Sequence, residues 1–180
     1  PYLLAAPQDL LPEDVDIAQL QKLLTRLQKR FDYVLIDTPS GIGSLTRSLC
    51  AMADETVLIT TMDDAAQRGT ERISALLREA QPEAVISLIV NRLLPARRRQ
   101  DDPGAAAAAL SGYLDLPLCA AICMDDAIGS ADARKAAAQA ARSPQWLTAL
   151  DQAADRLCGS DTPLKQDRVR RKLWLSRIKG

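Results

Sequence analysis

The sequence predicts an α/β domain built in three layers, a mostly parallel sheet with helices on both faces. Three observations carry that expectation. Short apolar runs alternate with amphipathic segments long enough to serve as crossover helices. The runs are continuous rather than alternating, as in strands covered on both sides. The chain has 180 residues, 47% of them apolar and 26% charged, which suits one globular domain with a sizeable core.

In chain order, residues 2–6 form a short apolar run that reads as a strand. Over residues 17–29, Ile17, Leu20, Leu23, Leu24 and Leu27 fall at helical spacing, with Asp16 placed to cap. Residues 33–36 read as a buried strand ending at Asp37. Residues 44–52 read as a helix and 56–60 as a strand. Ile73, Leu76 and Leu77 share one face of a helix over 64–80, and Pro82 lies just beyond it. Residues 84–90 form a strand and 103–114 an Ala-rich helix with Pro103 in its first turn. A strand over 118–122 and helices over 126–141 and 144–157 follow. The alanines Ala105 to Ala109 need only helix propensity to explain them. Residues 1–159 make the domain, and 160–180 are a polar linker and a basic tail.

Composition excludes several functions. The chain has no His, which removes His triads, His general bases and His–metal sites. Its 23 basic and 23 acidic residues cancel, so no general case for nucleic-acid binding exists. The charge is uneven, however. From Lys165 to Gly180 seven basic residues stand against one acid, net +6, and the remainder carries −6. Cys50, Cys119, Cys123 and Cys158 match no zinc spacing and read as buried, reduced thiols. No apolar run reaches the about 18 residues of a membrane span. The first residues have no basic region of a signal peptide and no initiator Met.

The most informative stretch is Asp37-Thr38-Pro39-Ser40-Gly41-Ile42-Gly43. An acid at the carboxyl end of a parallel strand stands where α/β sheets bind ligands. There it can hold Mg²⁺, directly or through water, beside a nucleotide. Gly41 lets a backbone N–H approach a phosphate oxygen. The plainer alternative is an acid that caps the following turn. Thr46 in place of a third glycine argues against a dinucleotide fingerprint.

This segment resembles the D-[ST]-P-A-G-I-[EG] motif of the MinD family of deviant-Walker ATPases. Further matches follow in order. Ala53-Asp54-Glu55-Thr56-Val57-Leu58 resembles the family's A-D-E strand, and Arg68, Glu71, Arg72 and Ile73 its R-x-x-[DE]-R-I helix. Val90-Asn91-Arg92 with Pro95 resembles V-N-R-x-x-P, and Leu116-Pro117-Leu118 with Asp125 the late strand and its acid. The resemblance implies a P-loop NTPase fold, with ATP and Mg²⁺ as cofactors. Asp37 would be the Walker B acid near Mg²⁺. Gly41 would sense the γ-phosphate, with Thr38 and Pro39 in the same nucleotide-binding loop. Asn91 would read adenine through an amide that offers donor and acceptor; its alternative is a strand-end turn residue.

Three departures qualify the match. No G-K-[ST] loop occurs in these residues, so the family's phosphate cradle is expected in a region before Pro1, and this chain by itself is expected to bind ATP weakly and to be inactive. Cys123-Met124-Asp125 stands where the family has P-E-D, and Ala133-Arg134-Lys135 where it has N-x-G. A divergent relative that kept the fold as a membrane-associated scaffold is the alternative.

The tail matches the family's C-terminal membrane helix. Trp174, Leu175 and Ile178 fall within about 100° of one another on a helix, while Lys172, Arg177 and Lys179 point elsewhere; Arg171 intrudes on the apolar side, Leu173 lies off it, and Arg170 adds to the basic charge. A solvated arm or a nucleic-acid arm is the alternative. The resemblance implies a cytoplasmic protein, peripheral on the inner face of the cell membrane. It implies an ATP-bound homodimer, an anionic membrane surface, the division inhibitor MinC and a MinE-like or other topological regulator as partners, and no nucleic acid. The role implied is placement of the division septum; flagellar or partition positioning by a ParA relative is the alternative.

Overall fold

Residues 86–90 and 118–122 are buried without a break, and this pair of strands is the centre of the fold. The computed structural model describes residues 2–6, 11–95, 102–125, 128, 135, 138 and 142–159. These fall into two compact units. One lies within Pro1–Thr56 and Ile73–Val85, the other within Val57–Arg72 and Ile86–Gly180.

The second unit holds the sheet, in the order β1 (Glu55–Thr60), β2 (Val85–Leu93), β3 (Leu118–Cys123). β2 and β3 are parallel, so the chain must cross over between them, and α4 (Pro103–Leu114) is the crossover. Asp102 starts α4 by accepting from the N–H groups of Gly104 and Ala105 at 3.0 and 3.1 Å. Asp115 ends it in the left-handed region, φ 52°, ψ 48°, a conformation that a short polar side chain tolerates. α4 and α5 (Pro144–Leu157) both pack on β3. The Trp146 indole donates to Cys123 O at 3.2 Å, and the Arg156 guanidinium donates to Leu118 O. The start of α5 is thus tied to the end of β3 and its end to the start of β3, so the two run antiparallel. Ala149 and Ala153 of α5 pack with Ile89, Ala120 and Ile122. Small residues on both sides let helix and sheet approach closely. With both faces covered, the continuous apolar pattern of β2 and β3 has its explanation.

The register of β2 and β3 slips twice. Leu88 pairs with Leu118 and Ile89 with Ala120, so one extra residue belongs to β3; Val90 pairs with Ala121 and Leu93 with Cys123, so one extra residue belongs to β2. The second irregularity cancels the first. It falls on Asn91 and Arg92, which places Asn91 inside the strand rather than in a turn beyond residue 90.

The first unit contains a 3₁₀ turn (Pro12–Asp14), α1 (Ile17–Gln28) and α2 (Ser44–Met52), with both the turn and α1 lying against α2. Asp16 caps α1 as expected, accepting from Ala18 N and Gln19 N. The Gln19 N–H in particular holds its carboxyl below the usual carboxylate range. Among the described residues Leu49 and Leu77 are this unit's buried aliphatic side chains. α3 (Asp64–Ala80) runs through both units, with Leu77 buried on the face anticipated from its spacing.

Two expected strands are absent. Residues 2–6 and 33–39 take no regular secondary structure. A strand exists only where a neighbour accepts its backbone hydrogen bonds, and these runs pair with no described strand. Their side chains lie open accordingly: Leu3 is 93% and Leu35 89% exposed. β1 and β2 match expectation to within a few residues. Of the helix expected over 126–141, Ile128, Lys135 and Ala138 are helical and the other positions lie outside the described residues. The linker and tail from residue 160 onward also lie outside them. The four cysteines form no disulfide, but not all are buried: Cys119 is, Cys50 and Cys123 are half-buried, and Cys158 is exposed just beyond α5. Among the described residues no helix is long and apolar enough to cross a membrane.

Leu88, fully buried on β2, should be the costliest kind of truncation. Leu88→Ala is expected to lower unfolding free energy by about 2–5 kcal/mol. Ile59→Ala, on a side chain 67% exposed at the sheet edge, should stay within about 0.5 kcal/mol. Urea unfolding of the two variants checks the ranking.

Candidate functional site

Two groups of residues stand where an α/β fold places its chemistry, and they belong to different units.

The first is the loop leading into α2. Asp37, Thr38 and Pro39 are all exposed, and the sequence reading of Asp37 as a strand-end acid is corrected to an acid on an irregular, open segment. Gly41 has φ 89°, a left-handed value that favours glycine, and nothing lies within 4 Å of where a Cβ would be. The backbone is therefore open to a ligand at that point. Gly43 is the N-cap of α2, and no side chain caps the helix. The Gly43 carbonyl accepts from Arg47 N at 3.0 Å, closing the first turn. The preceding N–H groups of that turn, at Ser44, Leu45 and Thr46, have no partner within the helix, and such a terminus favours an anion. Among the described residues no three of His, Cys, Asp and Glu gather to hold a metal by themselves. A Mg²⁺ that arrives with a nucleotide needs only one or two carboxylates, the rest of its shell being phosphate and water. The exposed Asp37 carboxylate fits that requirement.

The second group lies at the carboxyl ends of the second unit's strands, where ligands of open sheets bind. Asn91 is half-buried at the end of β2. Its Oδ1 accepts from Arg92 N at 2.8 Å, and Arg92 has φ 55°. That conformation costs an ordinary side chain about 1–2 kcal/mol. At the end of β3, burial pushes the Cys123 thiol up from its ordinary value, and Met124 N donates to Leu93 O at 2.7 Å, joining the two strand ends. Asp125 is half-buried two residues on.

After β1, Thr60 and Thr70 are buried with their hydroxyl oxygens 2.8 Å apart, fixing the strand end to α3. Asp63 then caps α3: its carboxylate accepts from the Thr61 hydroxyl and, at 3.0 Å, from Ala66 N. Those two donors, the hydroxyl first, hold its carboxyl below the usual range. Sequence reasoning passed over Asp63, although an acid directly before a helical pattern is a legible cap. Arg92 was noted only within the V-N-R match, and no local signal marks its left-handed backbone. Arg170, Arg171, Lys172, Leu173, Trp174, Leu175 and Ile178 lie outside the described residues.

The parallel-sheet α/β fold of this chain is that of MinD-like proteins. The fold superposes on a chain of the MinC:MinD cell division protein complex of Aquifex aeolicus with a TM-score of 0.69 and 22% identity, covering 84% of this chain and 63% of that one. The sequence is 41% identical over 93 residues to the septum site-determining protein MinD of Synechocystis, covering 52% of this chain and 35% of that protein. It is 33% identical over 126 residues to the putative septum site-determining protein MinD of Guillardia theta, covering 70% and 46%. The family model described as cellulose biosynthesis protein BcsQ matches residues 6–151, and the chain belongs to that family. The chain spans less than half the length of these two MinD relatives.

The Asp63 cap has a pH signature. A carboxyl whose folded-state value is depressed contributes stability above its unfolded value, near 3.8, and loses it as pH falls through the folded value. Wild type should therefore be more stable than Asp63→Ala at pH 7, with the gap closing as pH drops below 3.8. Denaturation of both proteins across a pH series checks this, and a gap unchanged to the acid end would show that the charge is not what caps.

Proposed function

We propose that this chain is part of a MinD-like ATPase that uses ATP binding and hydrolysis to time its residence on a membrane. The observation that supports this most directly is Gly41, at positive φ, leading from Asp37 into the uncapped start of α2. That arrangement suits a phosphate group with its Mg²⁺. In this reading Mg²⁺ supplies charge neutralisation at the phosphates when bound. Asp37 holds it, directly or through one of its waters. The family resemblance, rather than any placement of one unit against the other, gives Gly41, Thr38 and Pro39 the phosphate end and Asn91 the base. Residues 1–180 contain no lysine-bearing phosphate loop, so hydrolysis is proposed of a protein that also carries one.

ATP then bridges two copies, and the dimer holds two tails on the inner face of the cell membrane until hydrolysis releases them. Lys and Arg near anionic lipid contribute about 1 kcal/mol each. Trp174, Leu175 and Ile178 add about 1.5–3 kcal/mol per inserted side chain. After ordering costs, one tail binds weakly and two bind firmly. By analogy with the MinD relatives, the task is placement of the division septum, with MinC and a MinE-like regulator as partners. The family model supports a second task on the same chemistry, service to cellulose biosynthesis. Deleting the gene separates the two: misplaced septa support the first, and loss of cellulose with normal septa the second.

In the full-length protein, Asp37→Ala should lower steady-state ATPase by about a hundredfold, the scale of losing one transition-state charge stabiliser. Its thermal unfolding should change little, because the residue is exposed. Full turnover would reduce Asp37 to a turn residue.

The tail is tested by vesicle sedimentation. Trp174→Glu should abolish binding even at low salt, because it puts a charge where insertion is needed. Arg170→Ala with Lys172→Ala should only weaken it, by about 2 kcal/mol, and more as anionic lipid is diluted. If Trp174→Glu sediments like wild type, the tail is an electrostatic arm without insertion.

A further inference from the structure

Arg92 holds a left-handed backbone inside a strand, and such strain persists only where the surroundings over-determine it. Here they do. Val90 and Leu93 are buried and paired with Ala121 and Cys123, so three steps along β2 must match two along β3. The surplus residue leaves the ladder, as in any bulge. Its N–H turns onto the neighbouring side chain, Asn91 Oδ1, at 2.8 Å. A backbone N–H only donates, so it is the oxygen of the Asn91 amide that faces it. One lone pair of that oxygen is engaged; the other remains, beside the amide NH₂. Leu94 and Met124, at the same strand ends, are exposed apolar side chains that a flat ring could lie against.

We infer that Arg92 is the positioning residue for Asn91, acting through its backbone N–H rather than its guanidinium, and that it presets the amide as an acceptor beside a donor. That pair complements the 6-amino and N7 edge of adenine. It does not complement the 6-oxo and N7 edge of guanine, which offers two acceptors. The inference rests on the reading of Asn91 as the base-contacting residue, and it assigns base selectivity to the bulge.

Two measurements on the full-length protein test the two parts separately. Hydrogen exchange without nucleotide reads the lock: the Arg92 amide should exchange about tenfold or more faster in Asn91→Ala than in wild type. Equal rates would overturn the lock. Nucleotide kinetics read its use. Arg92→Gly keeps the N–H and accepts positive φ, so its preference for ATP over GTP should stay near that of wild type. Arg92→Val resists positive φ. It should raise KM for ATP about tenfold, with a smaller fall in kcat, and bring the ATP and GTP values together. If circular dichroism shows that Arg92→Val does not fold, Arg92→Ala is read instead and should fall between the two. Loss of preference in Arg92→Gly equal to that in the bulkier variants would mean that the guanidinium matters, and overturns the inference. Asn91→Asp still accepts from Arg92 N–H but has no donor to offer, so it should keep slow exchange and lose the ATP preference. Slow exchange with the preference intact would leave the lock standing and overturn the assignment of Asn91 to the base.

Discussion

The parallel pairing of β2 with β3 is the constraint on which the rest of the second unit depends. Parallel neighbours cannot be joined by a tight turn, so α4 has to exist and has to start and stop cleanly. Asp102 and the left-handed Asp115 do that at its two ends. Because β2 and β3 are buried on both faces, a second helix is needed as well. α5 meets that need and is fixed in direction by Trp146 and Arg156, each donating to a backbone carbonyl at opposite ends of β3. The same pairing forces the surplus residue at Asn91 and Arg92 out of the ladder. Core packing and the geometry of a candidate ligand contact therefore have one cause.

The second unit was legible in the sequence because its elements are stabilised by what they contain. Ile86, Leu88, Ile89 and Val90 make a run that is stable only as a buried strand, and Asp102-Pro103 is a helix start by chemistry alone. The runs over 2–6 and 33–36 are equally apolar, yet they form no strand here. What they lack, among the described residues, is a strand to pair with. Apolar character says that a segment should be covered; it does not say by what, and a strand's hydrogen bonds are made to another segment. Exposed Leu3, Tyr33 and Leu35 record that difference.

The site shows the same division. Asp37, Gly41 and Asn91 were picked out by residue type and order; Gly41 was read for close approach of a phosphate, and its positive φ is a feature that reading did not include. The left-handed Arg92 was not legible, because Arg carries no local preference for that conformation. Its cause is a register count between two strands that are distant in sequence. Asp63 lies between these cases: its cap is local, but it matters only because β1 ends and α3 begins on either side of it. Long-range causes leave no mark at the residue they act on.

Membership of a family named for cellulose biosynthesis and 41% identity to a septum-placing MinD look like competing statements about task. Physically they concern different parts of the molecule. The residues that carry the resemblance sit in the strands, at strand ends, on α3 and in the loop before α2. A partner touches the outside. There α4 presents Ala105, Ala106, Ala108, Ala109 and Gly112, and α5 presents Leu147 and Leu150. All of these are exposed, so they can change with a partner while the interior stays the same. A shared interior thus fixes the fold without fixing the task. The task has to be read from surfaces, which vary while the core holds still.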